Sequence, residues 1–126
     1  MIDVKIRKEF VRILSNSRKE SSDPCIELST ESVEVAYGSQ FHELQTIINK
    51  YDPMNLFCFG APEHEYSLEV KTIIIQLEKG MRMQQVLKLI HQEFIRWFGV
   101  KSTGSIAEYS EMSRDVFNWA LKRELV

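Results

Sequence analysis

The sequence predicts a mostly α protein, a five-helix bundle with one ambiguous stretch near residues 25–37. Three observations predict it. Apolar residues recur at spacings of three and four through most of the chain, which puts them on single helical faces. Clusters of Gly, Pro, Ser, Asn and Asp interrupt that rhythm at intervals suited to helices joined by short links. The chain has 126 residues, a length that fits one domain and one core burying roughly two thirds of the unfolded surface.

Residues 3–17 place Ile6, Phe10, Ile13 and Leu14 on one face, with Val4 and Val11 beside them, and Ser15-Asn16-Ser17 ends the pattern. Ser21-Ser22-Asp23-Pro24 reads as a turn, because Pro disfavours helix at the residue before it. In 25–37, Ile26, Leu28, Val33, Val35 and Tyr37 alternate with polar residues. That alternation favours a short β-hairpin with Ser29-Thr30-Glu31-Ser32 as its loop. A short helix starting at Thr30 is the rival.

Ser39 is expected to cap a helix over 39–51, whose stripe is Phe41, Leu44, Ile48 and Tyr51. Pro53 stops it. The link that follows is too apolar for a solvated loop. Leu56, Phe57 and Phe59 should pack beneath the helices. Ser67 is the expected cap of a helix over 67–79 carrying Val70, Ile73, Ile74 and Leu77, with Glu69 near its positive end and Gly80 as its stop.

Residues 82–98 carry the clearest stripe: Met83, Val86, Leu87, Ile90, Phe94, Trp97 and Phe98, closed by Gly99. Ser105-Ile106-Ala107-Glu108 has the form of a capping box. The last helix, over about 106–124, begins there or at Ser110, and should bury Tyr109, Met112, Val116, Phe117, Ala120 and Leu121. Trp97 and Trp119 fall on or beside apolar helix faces and are expected in the core.

Charge is unevenly placed. Residues 1–19 hold six Lys/Arg and two Asp/Glu, a net of +4. Residues 20–70 hold ten Asp/Glu and one Lys, a net of −9. Residues 71–126 hold nine Lys/Arg and six Asp/Glu, a net of +3. The acidic block argues against nucleic acid on that surface and suits a basic protein partner, with plain solvated surface as the alternative. No segment reaches the ~20 apolar residues of a membrane span. The N-terminus lacks the apolar core of a signal peptide, so a cytoplasmic protein is expected. Cys25 and Cys58 then read as free thiols.

Chemistry is sparse. Asp52, Glu63, His64, Glu65 and Glu69 are the one dense group of titratable residues. Such a group suits a divalent metal or acid–base work in principle. Its spacing does not demand either: Asp52 before Pro53 forms turns, and Glu63 after Pro62 opens them. No second His completes a zinc-protease helix, and Gly60, Gly80, Gly99 and Gly104 are too scattered for a phosphate loop. No nucleophile motif is present, and no cofactor or metal is expected. His42 and His91 read as surface or half-buried helix residues. The partner-facing carboxylates expected from the charge pattern are Glu27, Glu31, Glu34, Glu63 and Glu69.

The link itself carries a pattern. Asp52-Pro53, then Gly60-Ala61-Pro62, then Glu63 and Glu65-Tyr66 resembles the YugE-like family of small helical bacterial domains. Met54-Asn55 and Ser67-Leu68 depart from that family's usual residues. The resemblance covers residues 39–99 as a helical core, leaving 1–38 as an N-terminal extension of one domain. It implies structural roles for Asp52, Pro53, Gly60, Pro62, Glu65 and Tyr66. Domains of this kind resemble immunity proteins encoded beside bacterial toxins. The expectation is therefore a non-enzymatic immunity protein that occludes a cognate basic toxin domain, such as a nuclease. A small regulatory or adaptor domain is the alternative, and a metal-dependent enzyme using Asp52, Glu63, His64 and Glu65 is a further one.

Overall fold

A computed structural model of the chain describes residue 12 and residues 29–57, 60, 62 and 64–126. Among the described residues are five α-helices and no strand: α1 (Thr30–Tyr37), α2 (Ser39–Tyr51), α3 (Ser67–Ile74), α4 (Met83–Thr103) and α5 (Ser110–Lys122). A 3-10 turn, Ile106–Tyr109, leads into α5. The expected helix over 3–17 lies outside the described residues, except for Arg12. Cys25, Cys58 and Phe59 lie outside them too.

Helices α2, α3, α4 and α5 close a ring. Each packs on the next, α5 returns onto α2, and α1 braces α2 and α3. The interior is built from Phe41, Leu44 and Ile48 of α2, Val70, Ile73 and Ile74 of α3, Val86, Ile90 and Phe94 of α4, and Met112, Val116 and Ala120 of α5. These are the expected stripes. Leu56 and Phe57 in the link are half-buried against this core, less enclosed than expected.

The hairpin is overturned. Residues 30–37 are helical, and 25–28 lie outside the described residues. Ser29 decides the matter locally: its hydroxyl accepts from the Ser32 N–H at 2.9 Å, satisfying a donor at the start of α1. Val33 and Tyr37, one helical turn apart, are both buried, while Val35 is left 76 % exposed. Alternation of apolar residues was satisfied by either geometry; the cap and the i, i+4 pair selected the helix.

Three boundaries also move. Ser39 is the first residue of α2 and Gly38 its cap. Tyr66, not Ser67, caps α3, and the Ser67 hydroxyl instead donates to Gln45 Oε1 at 3.2 Å. Helix α3 ends at Ile74 instead of near 79, because its last turn tightens: the Gln76 and Leu77 N–H groups donate to Ile73 and Ile74 carbonyls. The β-branched run Ile73-Ile74-Ile75 lowers helix propensity there.

Gly99 interrupts α4 where its stop was expected. Its φ of 84° and ψ of 161° are not helical, and one further turn follows to Thr103. Both arms of the Ser105–Glu108 capping box form, with the Ser105 N–H donating to Glu108 Oε2 at 2.9 Å. The box opens the 3-10 turn, so α5 proper starts at Ser110. Leu121, expected in the core, is 53 % exposed.

Candidate functional site

The link between α2 and α3 is organised around Asp52. This residue leaves α2 in the left-handed conformation (φ 43°, ψ 58°), with its N–H donating to the Ile48 carbonyl at 2.9 Å. Asp and Asn tolerate that conformation better than most residues. Its carboxylate then accepts from the Leu56 N–H at 2.9 Å, the Phe57 N–H at 3.2 Å and the Tyr66 hydroxyl at 2.6 Å. The same hydroxyl accepts from the Met54 N–H at 3.0 Å. Tyr66 is fully buried, its ring near Phe57 and Phe94. Burial, and then the bond to Asp52, hold its phenol well above the ordinary tyrosine range.

Among the described residues of the pattern, Gly60, Pro62 and Glu65 act through backbone. Pro53 follows Asp52 into the turn. Gly60 donates its N–H to the Phe57 carbonyl at 3.1 Å. The Pro62 carbonyl accepts from the Glu65 N–H at 3.1 Å. The Glu65 side chain is exposed.

The titratable group read from the sequence does not converge. Asp52 serves the turn and Tyr66, while His64 and Glu65 are exposed and Glu63 lies outside the described residues. Among the described residues no set of three or more His, Cys, Asp and Glu side chains is placed to hold a metal ion.

The acidic residues separate into different environments. Glu31 and Val35 are exposed on α1, and Glu34 between them is 41 % exposed with its carboxylate 3.9 Å from His42 Nε2. Positions 31, 34 and 35 share one helix face. Glu27 and Glu63 lie outside the described residues. Glu69 is a correction: it is only 3 % exposed, and its Oε2 has no hydrogen-bond partner. Burial pushes its carboxyl up to about 7; its own backbone N–H and Lys71 oppose the rise, and Glu65 adds to it. A first-turn Glu ordinarily faces water beside the helix dipole. Helix α3 is buried nearly all round, so this one does not.

Other side-chain pairings had no signal in local sequence. Glu43 accepts from Trp119 Nε1 at 3.1 Å and from Arg123 Nη2 at 2.5 Å, joining α2 to the end of α5. The Tyr51 hydroxyl donates to Asp115 across the same seam. Beside these bonds lies a groove of about 490 Å³ lined by Ile47, Lys50, Asp115, Asn118, Trp119, Lys122 and Arg123. Trp119, expected in the core, is half-buried there. Trp97 is also half-buried and donates to Thr72 Oγ1 at 3.2 Å. Lys71 is fully buried, with Nζ 5.9 Å from the Trp97 ring centre. Of the histidines, His42 is exposed and His91 half-buried, its Nε2 2.9 Å from the Gly104 carbonyl oxygen.

A family model described as "Berberine and berberine like" matches residues 18–62. The match spans 62 − 18 + 1 = 45 of 126 residues, less than half the chain. It runs from before α1 into the link, and it is a different family from the YugE-like one, so that resemblance is overturned. The quoted pattern has a local explanation: Asp52, Tyr66 and the intervening turns are a device for closing one helix-to-helix link. No curated protein and no solved structure matches the chain.

Proposed function

We propose that this chain is a binding protein that covers a basic surface of a partner protein in the cytoplasm, without turnover. The observation that carries the reading is the outward face of α1. It offers the Glu31 and Glu34 carboxylates beside Val35, which is 76 % exposed. That face belongs to the segment 20–70, whose ten Asp/Glu and one Lys give a net of −9. An aliphatic contact rimmed by carboxylates suits a basic protein surface, where charge complementarity raises association rate and selectivity.

The most specific form is an immunity protein that occludes a toxin domain with a basic active site. The charge pattern supports that form; family resemblance does not. The usable face is smaller than the net charge implies. Asp52 serves the link, Glu43 is bonded to Arg123 and Trp119, and Glu69 is buried. Glu31, Glu34 and Glu65 are left at the surface among the described residues.

The test is co-expression with the product of the adjacent reading frame, followed by stopped-flow association of the purified pair. Rescue of growth, with association slowed by about tenfold in an E31K/E34K variant at low salt, is the supporting result. A harmless neighbour that does not bind removes the immunity form. A bound partner whose affinity ignores both reversals removes the acidic-face reading.

A further inference from the structure

The α2–α5 groove and the outward face of α1 are opposite in character. The groove is lined by two apolar side chains, Ile47 and Trp119, together with Lys50, Lys122 and Arg123. Glu43 accepts from Trp119 Nε1 and from Arg123 at the end of α5, which fixes both side chains. Asp115 is the carboxylate lining the groove, and the Tyr51 hydroxyl donates to it. The α1 face presents the reverse: a single exposed aliphatic side chain, Val35, beside two carboxylates, Glu31 and Glu34, spanning about one helical turn. Within one copy Val35 is 76 % exposed, so it does not fill its own chain's groove.

We infer that the groove between α2 and α5 receives α1 of a second copy of this chain. Val35 rests on Ile47 and Trp119, and Glu31 and Glu34 face Lys50, Lys122 and Arg123. Two copies exchanging α1 about a two-fold axis satisfy both knobs and both grooves, which gives a closed dimer. One short helix per groove makes a small contact, so the association is transient and sensitive to salt. The inference rests on the same α1 face as the function proposed above, but not on the existence of a partner. It adds a regulatory consequence: self-association hides the acidic face, and a basic partner competes with the second copy for it.

Sedimentation of the purified full chain, over a wide concentration range at low and high salt, is the test. The expected result is a concentration-dependent dimer that dissociates as salt rises. V35D and K50E/K122E should each weaken it by about tenfold or more. Mixing K50E/K122E with E31K/E34K should recover heterodimer, since reversed charges then meet across one of the two contacts. A chain that stays monomeric at every concentration in low salt overturns the inference. So does a dimer indifferent to V35D and K50E/K122E. The K50E/K122E variant also separates the two readings. If it is monomeric yet binds the basic partner, both stand. If no basic partner is bound while the wild-type chain dimerises as described, only the partner reading fails.

Discussion

The Asp52 carboxylate and the Tyr66 hydroxyl meet at 2.6 Å across 14 residues of chain. They tie the end of α2 to the cap of α3, and the Met54, Leu56 and Phe57 N–H groups are held by the same two side chains. Removing the hydroxyl with Tyr66→Phe leaves the Met54 N–H without its acceptor and Asp52 with one donor fewer. The expected loss is ~1–3 kcal/mol. Asp52→Ala removes the acceptor of three bonds and places Ala at positive φ, so it should cost more than Tyr66→Phe. Urea denaturation of both variants checks the order; a neutral Asp52→Ala would contradict the role given to this residue.

Glu69 makes stability depend on pH. Its carboxyl titrates from 4.5 in the unfolded chain to about 7 in the fold. Below 4.5 both states hold the proton. Between the two values the folded state keeps it and the unfolded state has lost it, so stability falls as pH rises. Above about 7 the loss is complete, on the order of 3 kcal/mol. Glu69→Gln should abolish this contribution and be more stable than the wild type above neutrality. Denaturation midpoints measured across that window decide it, and parallel curves for the two proteins would be the contrary outcome.

Ser29→Ala tests α1. Losing the bond from Ser32 N–H to the Ser29 hydroxyl should cost ~1 kcal/mol. The loss should also raise hydrogen exchange at the first amides of α1, with α4 unaffected.

Gly99→Ala tests the break in α4. A Cβ there meets nothing within 4 Å, but φ is +84°. The cost is therefore backbone strain alone, on the order of 1–3 kcal/mol, because φ 84° with ψ 161° is a region that only glycine enters readily. Gly104→Ala differs: its Cβ would stand 2.3 Å from Glu108 Oε2, so the capping box has to give way as well. Thermal denaturation should rank Gly104→Ala as the more damaging of the two.

Much of the fold was legible where a stripe and a stop agree. Phe41, Leu44 and Ile48 before Pro53 gave α2, and the run from Val86 to Phe94 before Gly99 gave the body of α4. Helix α1 was not legible from its apolar residues. Val33, Val35 and Tyr37 satisfy period two as readily as Val33 and Tyr37 satisfy i, i+4. The candidate site was harder. Asp52 reads as a turn former from the proline beside it, but its partner Tyr66 is fixed by the path of the link. Glu69 reads as surface because its immediate neighbours do not reveal that three other helices enclose α3. Glu43 and Arg123, 80 residues apart, have no local signal at all.

That last pair bears on when the helical ring closes. The ring closes where α5 returns onto α2, joining Glu43 to Arg123, which is synthesised 80 residues later. Until α5 is made, Ile47, Tyr51 and the neighbouring side of α2 lack the helix that shelters them. A seam of such sequence separation is slow to form relative to local helix pairing. The interval before closure is therefore when this chain is most open to aggregation and to capture by chaperones.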